Sequence, residues 1–431
     1  MSDELFDDLD RQAPGVPDPG PARYETANRT QVELTPTDLE ALLPPGHAAR
    51  LVWRFVEGLD LGAFYAQIKA REGGPGRAPI DPKILVALWL YATIDGVGSA
   101  REVDRLCTAH DAYRWLRGGV SVNYHTLSDF RVAHHAALDD LLTQSIATLR
   151  HRGVVTLARV AQDGTRIRAS AGVGSFRREG TLQERLTEAR KLVERTARQQ
   201  EGGLSRDVAA QARAATEGLA RVEEALAQLP AVAEAKRRNR TKSAPRTSTT
   251  DPDARVMKMA DGGYRPAYNI QVATDQDSDA VLGVAVTNVG SDQQQLVPML
   301  EQVTARGLHA STWLVDAGYA SDAAVEITAA QGTTLIMPVP RARGTDTPLP
   351  IRATDPPAIA AWKARMQTDD AARLYRSRGG TAERMYADWR THRTLGRLPL
   401  RGLGKVHTWV LWAAIATNVR IAMGIVPHLM T

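Results

Sequence analysis

The stretches Ala161-Gln162-Asp163-Gly164-Thr165 and Leu314-Val315-Asp316-Ala317-Gly318-Tyr319 each set an aspartate at or near the end of an apolar, strand-like run. A third, Tyr375-Arg376-Ser377-Arg378 running on to Glu383, sets a glutamate in a helix-like segment dense with arginine. Residues two apart on a strand share a face, so Asp163 sides with Ala161 and Thr165, and Asp316 with Leu314 and Thr312. An aspartate at a strand end is commonly a turn former or a helix cap. Ser321 is the better cap for the helix after Asp316, which leaves Asp316 free for another role. Glu383 alone reads as a solvated helix residue; its setting among Tyr375, Arg378 and Arg390 gives it weight.

Working outward, residues 155–168, 267–275, 281–287, 312–316 and 334–339 have strand patterning, and the polar run 275–279 makes a hairpin turn. Leu296, Met299, Leu300 and Val303 give an amphipathic helix before the fourth strand. Strand, strand, strand, helix, strand, helix, strand is the order of an RNase H-like mixed α/β sheet, though other α/β folds share parts of it. Between the first two strands, residues 172–252 form an insertion. Val208, Ala212, Ala215, Leu219, Val222, Leu226 and Leu229 alternate steps of four and three, and Leu182, Leu186, Ala189 and Val193 form a matching run. Gly202-Gly203 separates the two, so a helical hairpin is expected. It ends in a basic run containing Arg237, Arg238 and Arg240, suited either to solvent or to phosphate.

Before the sheet the pattern is helical. Asp81-Pro82 is an N-cap and first helical residue, Ser99-Ala100-Arg101-Glu102 has the form of a capping box, and Thr126 is placed to cap a last, longer helical stretch. Short helices at 36–152, with Arg131 on the last, suit either a helix-turn-helix-like DNA reader or a plain helical bundle. Residues 1–35 carry four prolines and little apolar content and read as a disordered leader.

The 431 residues allow two or three domains, and a hydrophobic share of 43% argues against wholesale disorder. A net charge of +5 is too small to imply nucleic acid, but local basic clusters at 236–246 and 373–405 are the footprint of phosphate binding. One cysteine, Cys107, excludes an internal disulfide and a multi-cysteine zinc site. The apolar run 409–419 is shorter than the roughly 20 residues a bilayer needs, so a cytoplasmic protein without a membrane partner is expected.

Two metal ions roughly 3.5–4 Å apart can activate a water or 3′-hydroxyl and stabilise the leaving oxygen of an in-line displacement. Mg²⁺ takes hard oxygen ligands and keeps several waters, so few carboxylates suffice. Asp163, Asp316 and Glu383 are the candidate set.

The pattern Tyr375-x-x-Arg378-x-x-x-x-Glu383, with Arg390 two turns on, resembles the tyrosine–arginine–glutamate–lysine signature of the DDE transposases of bacterial insertion sequences. Arginine in place of lysine at 390 keeps the charge and alters the geometry. The lead-in Thr250-Asp251-Pro252-Asp253 with Tyr264 to Asn269, the segment Leu400-Arg401-Gly402-Leu403-Gly404-Lys405, and Arg77 to Pro82 also resemble that family. Gly379-Gly380 departs from it, and each glycine weakens a helix by roughly 1 kcal/mol relative to Ala.

The resemblance implies four segments: the leader; a helical DNA-binding domain at 36–152; an RNase H-like catalytic domain at 153–171 and 253–431; and the helical-hairpin insertion between. It implies a transposase that cuts and joins double-stranded DNA at terminal inverted repeats. Two Mg²⁺ ions, with Mn²⁺ as substitute, would be held by Asp163, Asp316 and Glu383. Tyr375, Arg378, Arg390, Arg131, Arg237, Arg238 and Arg240 would contact DNA, in a homodimer or larger assembly. Two rivals stand beside it: a structure-selective nuclease without strand transfer, and a non-catalytic DNA-binding descendant.

Overall fold

Good caps fix where the first helices begin. Asp81 accepts from the Lys83 amide and Ser99 from the Glu102 amide, opening α3 (Pro82–Ile94) and α4 (Ala100–Ala109). They follow α1 (Ala48–Glu57) and α2 (Gly62–Tyr65), and precede α5 (Asp111–Arg117), α6 (Tyr124–Ala133) and α7 (His135–His151). The cap of α6 is Asn123 rather than Thr126: its side chain accepts from the Thr126 amide at 2.9 Å. The computed structural model describes residue 36 and residues 38–70, 78–201, 205–342, 344–393 and 395–424. The expected leader at 1–35, Arg77 and Gly202-Gly203 lie outside the described residues.

The main sheet is mixed. β1 (Arg159–Arg168) pairs antiparallel with β5 (Tyr264–Asp275) and parallel with β7 (Thr312–Leu314), which pairs parallel with β8 (Thr334–Ile336). On its other edge β5 carries β6 (Val281–Thr287) and, nearer its start, β4 (Arg255–Lys258). β2 (Phe176–Arg177) and β3 (Thr247–Ser248) form a small second sheet where the insertion leaves and returns. The strand order matches the RNase H-like expectation; β1, β7 and β8 are shorter than expected, β5 starts three residues earlier, and β6 has its expected bounds. β1 begins at 159 because Leu157 adopts a left-handed φ of 59°. β7 stops at 314 because Asp316 turns the chain into a short 3₁₀ segment.

The insertion is α8 (Glu179–Glu201) packed on α9 (Arg206–Arg238), and Ala215, Val222 and Leu229 of the expected seam are buried. Then come α10 (Leu296–Ala305), α11 (Asp322–Ala330), α12 (Pro357–Arg365), α13 (Asp369–His392) and α14 (Leu403–Met423). α13 runs unbroken through Gly379-Gly380. It packs on β1, β7 and β8.

α14 organises the rest. Its residues 408–419 are all buried, against α1, α3, α6, α7 and β6. The helical layer and the sheet therefore share one apolar core within the compact unit Leu39–Thr431. The N-terminus of α14 has no side-chain cap of its own. Asp251 accepts from the Gly402 amide at 3.0 Å and Asp253 from the Leu403 amide at 2.8 Å, placing two carboxylates at the positive helix end. Further along, Asn418 bonds both backbone groups of Val281 on β6 and donates to Ser145 on α7. Among the described residues no helix is long and apolar enough to cross a membrane.

At the α7–α14 contact His407 Nε2 donates to the Val284 carbonyl (3.2 Å), so its bare Nδ1 accepts from His135 Nε2 (3.1 Å). Burial, with His135 beside it, pushes the His407 imidazole down to about 4. Between that value and the unfolded value near 6.5 the unfolded chain binds more protons, so stability falls as pH drops through this window. Urea unfolding at pH 7 and pH 5 should show His407 costing the wild type about 2 kcal/mol at the lower pH. His407→Gln should remove that part of the loss, and equal pH dependence in both proteins would contradict the assignment.

Candidate active site

β1 positions Asp163 and β7 positions Asp316. The parallel register pairs Ala161 with Leu314. Extended by two residues, it sets Asp163 level with Asp316. Leu314 packs with Ile336 and Ala371 beneath Leu374 and Tyr375, so this face of the two strands is the one that α13 covers. Asp163 faces the helix that carries Glu383, and Asp316 stands in the turn beside Asp163.

Burial raises the Asp163 carboxyl above its ordinary value; Arg378 opposes the shift, while the charges of Asp316 and Asp292 add to it. The Arg378 guanidinium lies 3.6 Å from Asp163 Oδ1 and 5.6 Å from the Tyr375 ring centre. Its Nη1 is buried without a hydrogen-bond partner. Asp316 Oδ1 accepts from the Gly318 amide at 2.8 Å, so it has a structural task as well, although Ser321 does cap α11 as expected.

α13 runs in the same direction as β1. Arg378 reaches Asp163, the Tyr386 hydroxyl donates to the Asp163 carbonyl at 2.6 Å, and Arg390 donates to the Thr165 hydroxyl. Glu383 stands one turn before Tyr386 and on the stripe of Arg390, seven residues away. Its side chain is exposed and makes no hydrogen bond or ion pair among the described residues. No three His, Cys, Asp or Glu side chains among the described residues are grouped to hold a metal ion. The fold thus pairs two of the three carboxylates and leaves the third on the covering helix. The donor set, carboxylate oxygens with a cation already drawn to Asp163, suits a hard divalent ion.

The remaining expected contacts divide. Arg131 is buried, 7% exposed, between the rings of Trp89 and Trp409 (5.0 and 5.3 Å), and donates to the Gly98 carbonyl. It holds the core together and cannot reach a base edge, which corrects its expected role as a reader. Arg237 and Arg238 both pair with Glu234 at the exposed end of α9, and Arg240 is exposed just beyond. None of the three contacts Asp163, Asp316 or Glu383.

Sequence reasoning missed the support on the opposite face. Asp292 Oδ1 accepts from Asn269 and Gln271, both at 2.7 Å, and Tyr319 donates to Gln271. Gln162 joins them through Gln271 and Trp313. The signal was present: Asn269 and Gln271 alternate through a buried strand, and buried amides demand partners. Gly164 is required here, since a Cβ would stand 2.2 Å from Gln271 Nε2 and 2.5 Å from Asp292 Oδ1. Gly164→Ala should therefore lower stability by about 1–3 kcal/mol in a thermal melt. An unchanged melting temperature would show that the network yields without cost.

A family model described as Transposase DDE domain matches residues 241–419, which include Asp316 and Glu383. A second, described as Transposase domain, matches residues 37–133. Asp163 lies outside both ranges. No curated protein and no solved structure gives a significant match.

Proposed function

Because the chain belongs to the DDE transposases of bacterial insertion sequences, we propose that it binds the terminal inverted repeats of its own element, cuts there and joins the freed 3′-hydroxyl to target DNA. The family's catalysis of DNA transposition and its use of divalent metal ions belong to the chain; two Mg²⁺, replaceable by Mn²⁺ and held by Asp163, Asp316 and Glu383, are our assignment. The observation that carries it is Asp163 on β1 beside Asp316, which follows the paired parallel strand β7, with Arg378 of the Glu383 helix against Asp163.

Bound Mg²⁺ would activate the attacking water or 3′-hydroxyl and stabilise the leaving oxygen. The chain's own groups do the positioning. Asp163 is held in the β1 ladder, and Asp316, in the turn after β7, is held by its bond from the Gly318 amide. Arg378, whose Nη1 already lies 3.6 Å from Asp163, holds its positive charge where a phosphate approaching Asp163 would meet it, and a charge-assisted bond there would be stronger than a neutral one. Arg390 and Tyr375 extend that contact along α13, and Arg237, Arg238 and Arg240 hold DNA at the C-terminal end of α9, away from the turn of the hairpin. Two element ends must be held at once, so we assign a homodimer or larger assembly, with α8 and α9 as the contact. The work is done in the cytoplasm, at the nucleoid.

The test is Mg²⁺-dependent cleavage and joining of an element-end duplex. Asp163→Asn, Asp316→Asn and Glu383→Gln should each lower both reactions by at least about 100-fold while leaving end binding intact, since the amide keeps the shape and loses the charge. Wild-type cleavage by Asp316→Asn would mean the wrong aspartate was chosen. Cleavage without any joined product would favour the nuclease reading.

A further inference from the structure

α4 and α6 both begin at one cleft of about 590 Å³, lined by Ala100, Arg101, His125, Arg131 and Arg397. The first amides of a helix have no partner inside it, and each helix start carries partial positive charge. At α4 the Ser99 hydroxyl takes the Glu102 amide, and at α6 Asp104 and Asn123 take the amides of Tyr124 and Thr126. The amides of Ala100, Arg101 and His125 are left without acceptors among the described residues.

Three arginines reinforce these two helix starts. Arg131, 7% exposed, forms part of the wall, and its Nε is buried with no partner. Arg101 is exposed and lies 5.1 Å over the Tyr124 ring. Arg397 is exposed, with no side-chain hydrogen bond or ion pair among the described residues. Asp129 is the one carboxylate in the lining. The cleft has the donors and the charge for an anion.

Its position gives the anion an identity. Arg397 bridges to Arg168 at the end of β1. A smaller cleft, lined by Arg166, Arg168, Arg265 and Arg390, fills the interval back towards Thr165. Arg390, Arg168 and Arg397 thus lead from Thr165 to the paired helix starts, while Arg265 pairs with Asp261 and Arg166 turns to Asp292 and the Gly290 carbonyl. The five residues from Asp163 to Arg168 span about 16 Å, the rise of about five base pairs of duplex.

We infer that this cleft binds a backbone phosphate of the same DNA whose scissile phosphate lies at Asp163 and Asp316, a few base pairs away. The inference rests on the transposase reading. Ala100, Arg101 and His125 donate their amides to the phosphate oxygens, and Arg101 and Arg397 supply charge, as helix starts do for phosphates generally. The contact sets register along the duplex and reads no base.

Fluorescence anisotropy of the full chain on end and unrelated duplexes, over a salt series, tests this. Arg101→Ala and Arg397→Ala, both at exposed positions, should each weaken binding to either duplex several-fold and make the slope of log affinity against log salt shallower by about 1. Their melting temperatures should match the wild type. Unchanged affinity and slope in both variants, with wild-type binding intact, would overturn the phosphate cleft and leave the transposase reading standing. A wild type that binds neither duplex would overturn both. Inorganic phosphate that stabilises the wild type but not the variants, with DNA slopes unchanged, would make the cleft a free-anion site and overturn the DNA assignment.

Discussion

The parallel pairing of β1 with β7 is the constraint from which the active face follows. It brings Asp163 on β1 beside Asp316, two residues past the end of β7, where the Asp316 charge and burial both oppose ionisation of Asp163. Such an arrangement persists only if the backbone is held from elsewhere. Tyr386 ties the Asp163 carbonyl to α13, Gly164 lets the amide network close behind it, and Arg378 offsets part of the charge. Each support acts on β1 within two residues of Asp163 or on Asp163 itself.

The same economy governs the core. α14 lies between the helical layer and the sheet, and its capping carboxylates come from the segment that leads into β4. Arg131, clamped between Trp89 and Trp409, joins α6 to α3 and α14, and the Trp412 indole donates to its carbonyl. Arg393, at the end of α13, donates to the last carbonyls of α3. The helices that open the chain are thus bound to the helix that closes the active site. A duplex contacting both would meet a rigid frame.

Much of this was legible from local pattern. Asp81-Pro82 and Ser99 mark helix starts by short-range chemistry, the hairpin seam follows from heptad spacing, and the strand order follows from alternation. What failed depended on partners far along the chain. Arg131 looked like a surface reader because nothing nearby announces Trp409, 278 positions later, as its lid. Thr126 and Asn123 are both good caps, and only the backbone decides between them. Asp292 carried no local mark, and its role depends on amides of β5. Glu383 was placed on its helix by resemblance, and the fold puts that helix over Asp163 without bringing the third carboxylate into contact.

The central claim is that Asp163 and Asp316 share a metal ion. Crystals grown with Mn²⁺ and a bound end duplex would test it by anomalous scattering at the manganese edge. The account predicts a peak between the two carboxylates, at oxygen–metal bonding distance from both and with Glu383 turned towards it. A manganese peak elsewhere, or none at this site with DNA bound in the cleft, would contradict it.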